Sequence, residues 1–214
     1  MSDRASADER HFAALMSASE VDLDRLRETI WAELQTAADS ARHGWHLPMV
    51  ATGGTQPHNR TVVLRDVDIE SRSLAFHTDV RSPKVTQIRV TPHVCFCFYD
   101  ATHRVQLVAD AAASVHTDDE IADAGWERST AASRRCYLAP AAPGDVIAKP
   151  KANLPDAFVG KLPAIEQTLP GRENFAVVAA RVQRLDFLYL SHEGNLRAEF
   201  VLNDGDFHGR WIAA

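Results

Sequence analysis

Between Phe12 and Ala41 the chain alternates apolar and polar positions with a helical period. Leu23, Leu26, Ile30, Leu34 and Ala37 recur at spacings of three and four, and neither Gly nor Pro interrupts them. The spacing predicts one amphipathic helix, with room for a short one before it and with Asp22 or Asp24 as its cap. At Gly44-Trp45 the period changes to that of strands. His46–Ala51 is short and apolar, Thr52-Gly53-Gly54-Thr55 reads as a turn, and Arg60–Val67 carries a β-branched run that predicts one buried strand. Asp68–Arg72 reads as a hairpin turn, and Ser73–Thr78 as the return strand.

Ser82-Pro83-Lys84 starts a helix, with Ser82 as cap and Pro83 in the first turn, which stops before Pro92. His93–Tyr99 and Arg104–Val115 read as two strands joined by Asp100-Ala101-Thr102. Thr117-Asp118-Asp119-Glu120 opens another helix, acidic at its positive end, and a second short one follows through Tyr137. Residues 139–170 hold six of the ten prolines and read as a long connection, the kind of segment that is often functional. Strands resume over Phe175–Leu190 and Leu196–Leu202, turn at Asn203–Asp206, and end over Phe207–Ile212. Seven or eight strands joined mainly by short turns, with helices at the start and in two insertions, predict a mainly β (α+β) fold. The architecture expected is an antiparallel split β-barrel with flanking helices, built as a single domain over 1–214. Strands and helices do not alternate, which argues against a doubly wound sheet.

Composition narrows the possible partners. The chain has 214 residues and a formal charge of −6, from 23 Lys and Arg against 29 Asp and Glu. That balance argues against broad nucleic-acid binding. No apolar run approaches the ~18 residues of a membrane span, and the polar start does not read as a signal peptide. Cys95, Cys97 and Cys136 form an odd set that suits a reducing cytoplasm.

Against this acidic background, Arg60 to Lys84 is a local concentration of cations. It holds Arg60, Arg65, Arg81 and Lys84, with the hydroxyls of Thr78 and Ser82. A phosphate dianion is held by Arg forks, a Lys point charge, small hydroxyls and a helix N-terminus. Solvated hairpin ends and helix caps would use the same residues, so spacing alone leaves both readings open. Cys95 and Cys97 share one strand face and read as core packing, since with the distant Cys136 they lack zinc spacing. His43-x-x-His46 has no nearby acid or cysteine to complete a metal set, and no metal is expected.

Four segments in register resemble the pyridoxamine 5'-phosphate oxidase family. Arg60-Thr61-Val62-Val63-Leu64-Arg65 is similar to its Arg-x-Val-Leu-Leu-Lys strand, and Phe76-His77-Thr78-Asp79 to its Phe-Tyr-Thr-Asn strand. Ser82-Pro83-Lys84 is similar to its Ser-Arg-Lys helix start, and Arg104-Val105-Gln106 opens a strand like its Arg-Gln-Val. The resemblance implies an FMN-binding split barrel that forms a homodimer with FMN in the inter-subunit cleft. It implies that Arg60, Ser82 and Lys84 hold the FMN phosphate, with Arg81 close by. It also implies that Thr61, Val62, Val63, Leu64 and Arg65 run along the flavin, with His77, Thr78 and Gln106 in contact with it. Pro143-Gly144 is placed where the family reaches the partner's FMN.

The substrate half departs from that pattern. The family's substrate tyrosine and arginine align with Trp126 and Thr130, and its serine falls near Ser133 or Arg134. Its Arg-Leu-His-Asp-Arg aligns with Asn195-Leu196-Arg197-Ala198-Glu199, and its flavin-contacting tryptophan with Leu188. Trp126, Thr130, Arg134 and Arg197 are therefore the substrate-side candidates, and no catalytic acid or base is named. The expectation is an FMN-dependent oxidoreductase acting on a small molecule other than pyridoxamine phosphate. The alternative is a protein that stores or senses FMN, or binds another planar cofactor such as haem.

Overall fold

The computed structural model describes Phe12, residues 21–53 and residues 56–214. The expected helical start before residue 21 and the tip of the Thr52–Thr55 turn lie outside the described residues, Phe12 excepted. Within them the chain forms two compact units. The first takes in the described residues up to Ala75 with His93–Ala112 and Ala180–Ala214, and the second takes in Phe76–Pro92 and Ala113–Ala179.

Helix α1 spans Leu23–Asp39. Asp22 starts it by accepting the N–H groups of Asp24 at 2.7 Å and Arg25 at 3.2 Å, which satisfies two of the donors a helix start leaves open. Leu26, Ile30, Leu34 and Ala37 are the buried stripe that the spacing predicts. The two histidines of His43-x-x-His46 tie the following chain back onto the helix. His43 Nε2 lies 2.8 Å from Glu33 Oε2, and His46 Nδ1 lies 2.6 Å from the Ala37 carbonyl.

Among the described residues nine strands follow: β1 Met49–Thr52, β2 His58–Thr61, β3 Leu64–Asp68, β4 Ser73–Asp79, β5 His93–Asp100, β6 Val105–His116, β7 Phe175–Tyr189, β8 Leu196–Asn203 and β9 Asp206–Ile212. They form one antiparallel sheet in the order β2-β1-β5-β6-β7-β4-β3, with β8 on β7 and β9 on β8. The single strand expected over 60–67 is two. Val62 donates its N–H to Pro48 O and Leu64 its own to His46 O, so this stretch follows the chain before β1 and then leaves it. The break has a topological purpose. β2 and β3 sit at the two ends of the sheet order yet are separated by Val62 and Val63 alone, a reach of about 11 Å at most. A flat sheet cannot meet that limit, so the sheet curls into the split barrel.

The hairpin turns after β3 and β8 are those the sequence predicts, whereas the turn between β5 and β6 takes in residues 101–104. Asp68 Oδ1 accepts from the N–H groups of Glu70 and Ser71, and Asp204 and Gly205 take positive φ between β8 and β9. Phe96 and Phe98 of β5, Leu107 of β6, Phe187 of β7 and Phe200 of β8 are fully enclosed and join the α1 stripe in the core of the first unit. Cys95 and Cys97 are not in that core. They alternate with Val94, Phe96 and Phe98 and therefore occupy the opposite, half-buried face of β5. Burial, and then Asp110, pushes the Cys95 thiol up to about 12, so it stays protonated.

In the second unit, helix α2 spans Pro83–Val90. Helix α3 spans Glu120–Arg128 and is capped by Asp119, and α4 spans Ala131–Arg134 and runs into a 3-10 turn over Arg135–Leu138. Its core is aromatic. The Phe175 ring lies 5.2 Å from Trp126 and 5.0 Å from Tyr137, both edge-on, which is the favoured arrangement for such rings.

Candidate functional site

The second unit assembles the phosphate-type donors. β4 ends on Thr78 and Asp79, and α2 begins at Pro83. Ser82 holds the N-cap position, but its hydroxyl makes no capping bond. It accepts instead from Lys84 Nζ at 2.8 Å, and Lys84 also donates to Thr78 Oγ1 at 3.0 Å. The ammonium is thus fixed between two buried hydroxyls at the start of a helix whose first N–H groups carry partial positive charge.

Arg81 is placed differently from its neighbours. Its guanidinium grips Asp79 through Nε at 3.0 Å and Nη2 at 2.6 Å, and Nη2 also donates to Ala139 O at 2.9 Å. Hydrogen bonding to Asp79 holds the Arg81 pKa above its ordinary value. Arg81 therefore braces the β4–α2 corner.

A cavity of about 510 Å³ opens beside Lys84 and Thr78. His77 lines it and packs its ring edge-on against Phe175 at 4.8 Å. Gly125 keeps this contact possible, since a Cβ there would meet His77 Nε2 at 3.3 Å and Val177 Cγ2 at 2.7 Å. Pro143, Asn153 and Leu154 of the long connection also line the cavity. Asn153 fastens that connection to itself by accepting from Ala141 N–H at 3.2 Å and donating to Ala141 O at 2.9 Å. The connection forms a wall and leaves the cavity open.

Three substrate-side candidates in this unit have structural duties. Trp126 is buried among the aromatic rings. Arg134 is buried over its face, with Cζ 4.6 Å from the ring centroid, and donates from Nε and Nη2 to Trp126 O at 3.0 and 2.7 Å. It satisfies the carbonyl end of α3. Thr130 caps α4 by accepting from Ser133 N–H. The arginine of this junction that lines the cavity is the next residue, Arg135. Sequence reasoning missed it because the 3-10 turn after Arg134 shifts the direction of each side chain, and local spacing does not announce that turn.

The first unit carries the other expected cofactor residues. Arg60 on β2 donates from Nη1 to Thr52 Oγ1 at 2.7 Å, and burial lowers its pKa. Val62 and Leu64 turn their side chains into the core, while Thr61 and Arg65 are exposed and Val63 is half-buried. Gln106 is half-buried on β6 opposite Tyr99. Arg197 is bound to Asp186 through Nε at 2.9 Å and Nη2 at 2.8 Å. Glu199 accepts from Arg184 Nε and from Arg210 Nε, both at 2.7 Å. Those two arginines hold the Glu199 carboxyl below its ordinary range. Arg184 also reaches Asp186 at 2.7 Å and Asp110 at 3.0 Å, closing a balanced network of three arginines and three carboxylates.

The antiparallel sheet has the split-barrel fold of a solved FMN-binding protein. Residues 26–117 match the family described as "Pyridoxamine 5'-phosphate oxidase, FMN-binding domain". Over these residues the chain is similar to that family's FMN-binding domain, and FMN is the cofactor of the matched domain. The donors present suit that cofactor, because an ammonium between two hydroxyls at a helix N-terminus is matched to a phosphate monoester. A pyridoxamine 5'-phosphate oxidase-related, FMN binding protein from Nostoc punctiforme is similar in structure, with TM-score 0.70 and 25% identity. The match covers 88% of this chain and 97% of that one. PhzG from Burkholderia lata, solved with tetrahydrophenazine-1-carboxylic acid, shares the fold with TM-score 0.64 and 14% identity over 88% of this chain and 92% of its own. No curated protein sequence matches the chain. Among the described residues no helix is long and apolar enough to cross a membrane.

Proposed function

We propose that the protein is an FMN-dependent oxidoreductase acting on a small molecule, with FMN held non-covalently. The observation that carries this reading is the Lys84 ammonium, fixed by Thr78 and Ser82 at the start of α2 and opening onto a cavity of about 510 Å³. When bound, FMN supplies the hydride or electron chemistry, and the chain supplies binding and orientation. Lys84, Ser82 and Thr78 would hold the phosphate, and His77 would face the ligand from the cavity wall. Arg60, Arg65, Gln106 and the backbone of 61–64 are proposed as FMN contacts on the strength of the motif resemblance. Arg81 supports the site by bracing Asp79. A homodimer with FMN between subunits and a cytoplasmic setting follow from the same resemblance and the free cysteines.

The open cavity favours an enzyme over a storage protein, because the long connection lines the space instead of filling it. Pyridoxamine phosphate is a poor candidate substrate. Arg197 is committed to Asp186, Arg134 to the end of α3, and Thr130 to a cap. Pyridoxamine phosphate held at these positions as in that family would lose charge-assisted bonds worth about 1.5–3 kcal/mol each. The test is the visible spectrum of FMN-loaded protein under anaerobic conditions, with nicotinamide reductants or amine substrates added in turn. Bleaching of the flavin followed by recovery on admitting oxygen supports the enzyme reading. A flavin inert to every donor favours the storage reading, and rapid turnover of pyridoxamine phosphate would overturn the substrate exclusion.

A further inference from the structure

We propose that Arg135 is the residue with which this cavity recognises an oxyanion carried by the substrate. It rests on the flavin reading only in assigning Lys84 to the cofactor.

The charges lining the cavity come from Asp79, Lys84 and Arg135, with His77 as a further titratable side chain. Asp79 is neutralised by the two-point grip of Arg81. The cavity therefore carries excess positive charge, and once a cofactor phosphate occupies Lys84 the remaining cation is Arg135. Its surroundings differ from those of the arginines that brace the fold. Arg81, Arg172, Arg184, Arg197 and Arg210 all grip carboxylates, and Arg134 is buried on carbonyls. Arg135 is half-buried and donates from Nη1 to one backbone carbonyl, that of Lys161, at 2.9 Å. No ion pair with a carboxylate is present for it among the described residues, so the remaining donors of its fork stay available to a planar oxyanion.

The bond to Lys161 also matters, since Lys161 belongs to the long connection that walls the cavity. It holds the guanidinium in place, so less side-chain entropy is lost when an anion binds. The ligand implied is a small, planar molecule bearing a carboxylate or a phosphate, with Tyr137 as an apolar face nearby.

The test uses benzoate and phenyl phosphate as separate probes of the two anion types. Wild-type protein loaded with FMN is treated with phenylglyoxal, which modifies arginine, and labelling is read by peptide mass spectrometry. At matched ionic strength, one of the two probes should slow labelling of Arg135 several-fold and leave the exposed Arg42 unchanged, and the protecting probe identifies the anion. Arg135→Ala should then weaken that probe about tenfold or more by calorimetry, with FMN affinity kept within about twofold. Protection by FMN alone, with no added effect of either probe, would make Arg135 a cofactor ligand and overturn the proposal, as would no protection at all. If the protein takes up no FMN but the probe still protects Arg135, the cofactor reading fails and this inference stands. The labelling arm needs no variant, so it holds even if Arg135→Ala folds poorly.

Discussion

Replacing Lys84 by methionine removes the ammonium while keeping most of the side-chain stem. The ammonium lies 2.8 Å from Ser82 Oγ and 3.0 Å from Thr78 Oγ1, and both hydroxyls are buried and remain after the change. In the FMN complex the lysine would contribute one charge-assisted hydrogen bond, worth about 1.5–3 kcal/mol. That corresponds to roughly a 10- to 150-fold rise in Kd for FMN. The N–H groups at the start of α2 are untouched, so residual binding is expected. Riboflavin lacks the phosphate and supplies the internal control. Quenching of flavin fluorescence on titrating apoprotein measures both ligands, and a thermal melt of the apoprotein checks the fold. Lys84→Met should weaken FMN by that factor and leave riboflavin within about twofold. Equal losses for the two flavins, or a loss for neither, would refute the phosphate assignment.

Three further predictions concern the frame around the site. Arg134→Ala should lower the melting temperature, at a cost of about 2–4 kcal/mol, because it strips buried bonds from the end of α3 and uncovers Trp126. A variant of wild-type stability with altered ligand affinity would return Arg134 to the substrate site. Gly44→Ala should destabilise by about 1–3 kcal/mol, since its Cβ would stand 2.6 Å from Asp100 Oδ2, and an unchanged melt would show that the contact relaxes freely. Asp100 is pushed up by burial, but hydrogen bonds from the side chain and backbone of His103 outweigh this and leave it below its ordinary value. Such a group adds stability above the unfolded carboxylate pKa of about 4, and that stability is lost as pH falls through the lower folded value. Asp100→Asn should therefore narrow the stability difference between pH 6 and pH 3 in chemical denaturation, and an undiminished difference would contradict the assignment.

Features set by local sequence were legible before the fold was known. The α1 stripe of Leu26, Ile30, Leu34 and Ala37 needs only helical spacing, and Asp22 needs only its position before it. Ser82-Pro83 marks the start of α2, and Asp204-Gly205 marks the last hairpin. The features that were not legible depend on distant partners. The split of 60–67 is dictated by the Pro48 and His46 carbonyls and by closure of the barrel. Cys95 and Cys97 share a face in any strand, but which face meets the core depends on where β1 and β6 lie. In the substrate half, the roles of Trp126, Thr130 and Arg134 follow from the α3–α4 junction, and the 3-10 turn after it hands the cavity to Arg135. The pairing of Arg197 with Asp186, and of Glu199 with Arg184 and Arg210, joins strands whose register no local motif encodes.

The central claim is that this chain holds FMN through its phosphate. The most direct measurement is the cofactor content of protein purified without added flavin and then dialysed against FMN. The account predicts a yellow protein with a perturbed flavin spectrum that releases FMN, and no FAD, on denaturation. A colourless protein that takes up no FMN at micromolar concentrations would contradict it.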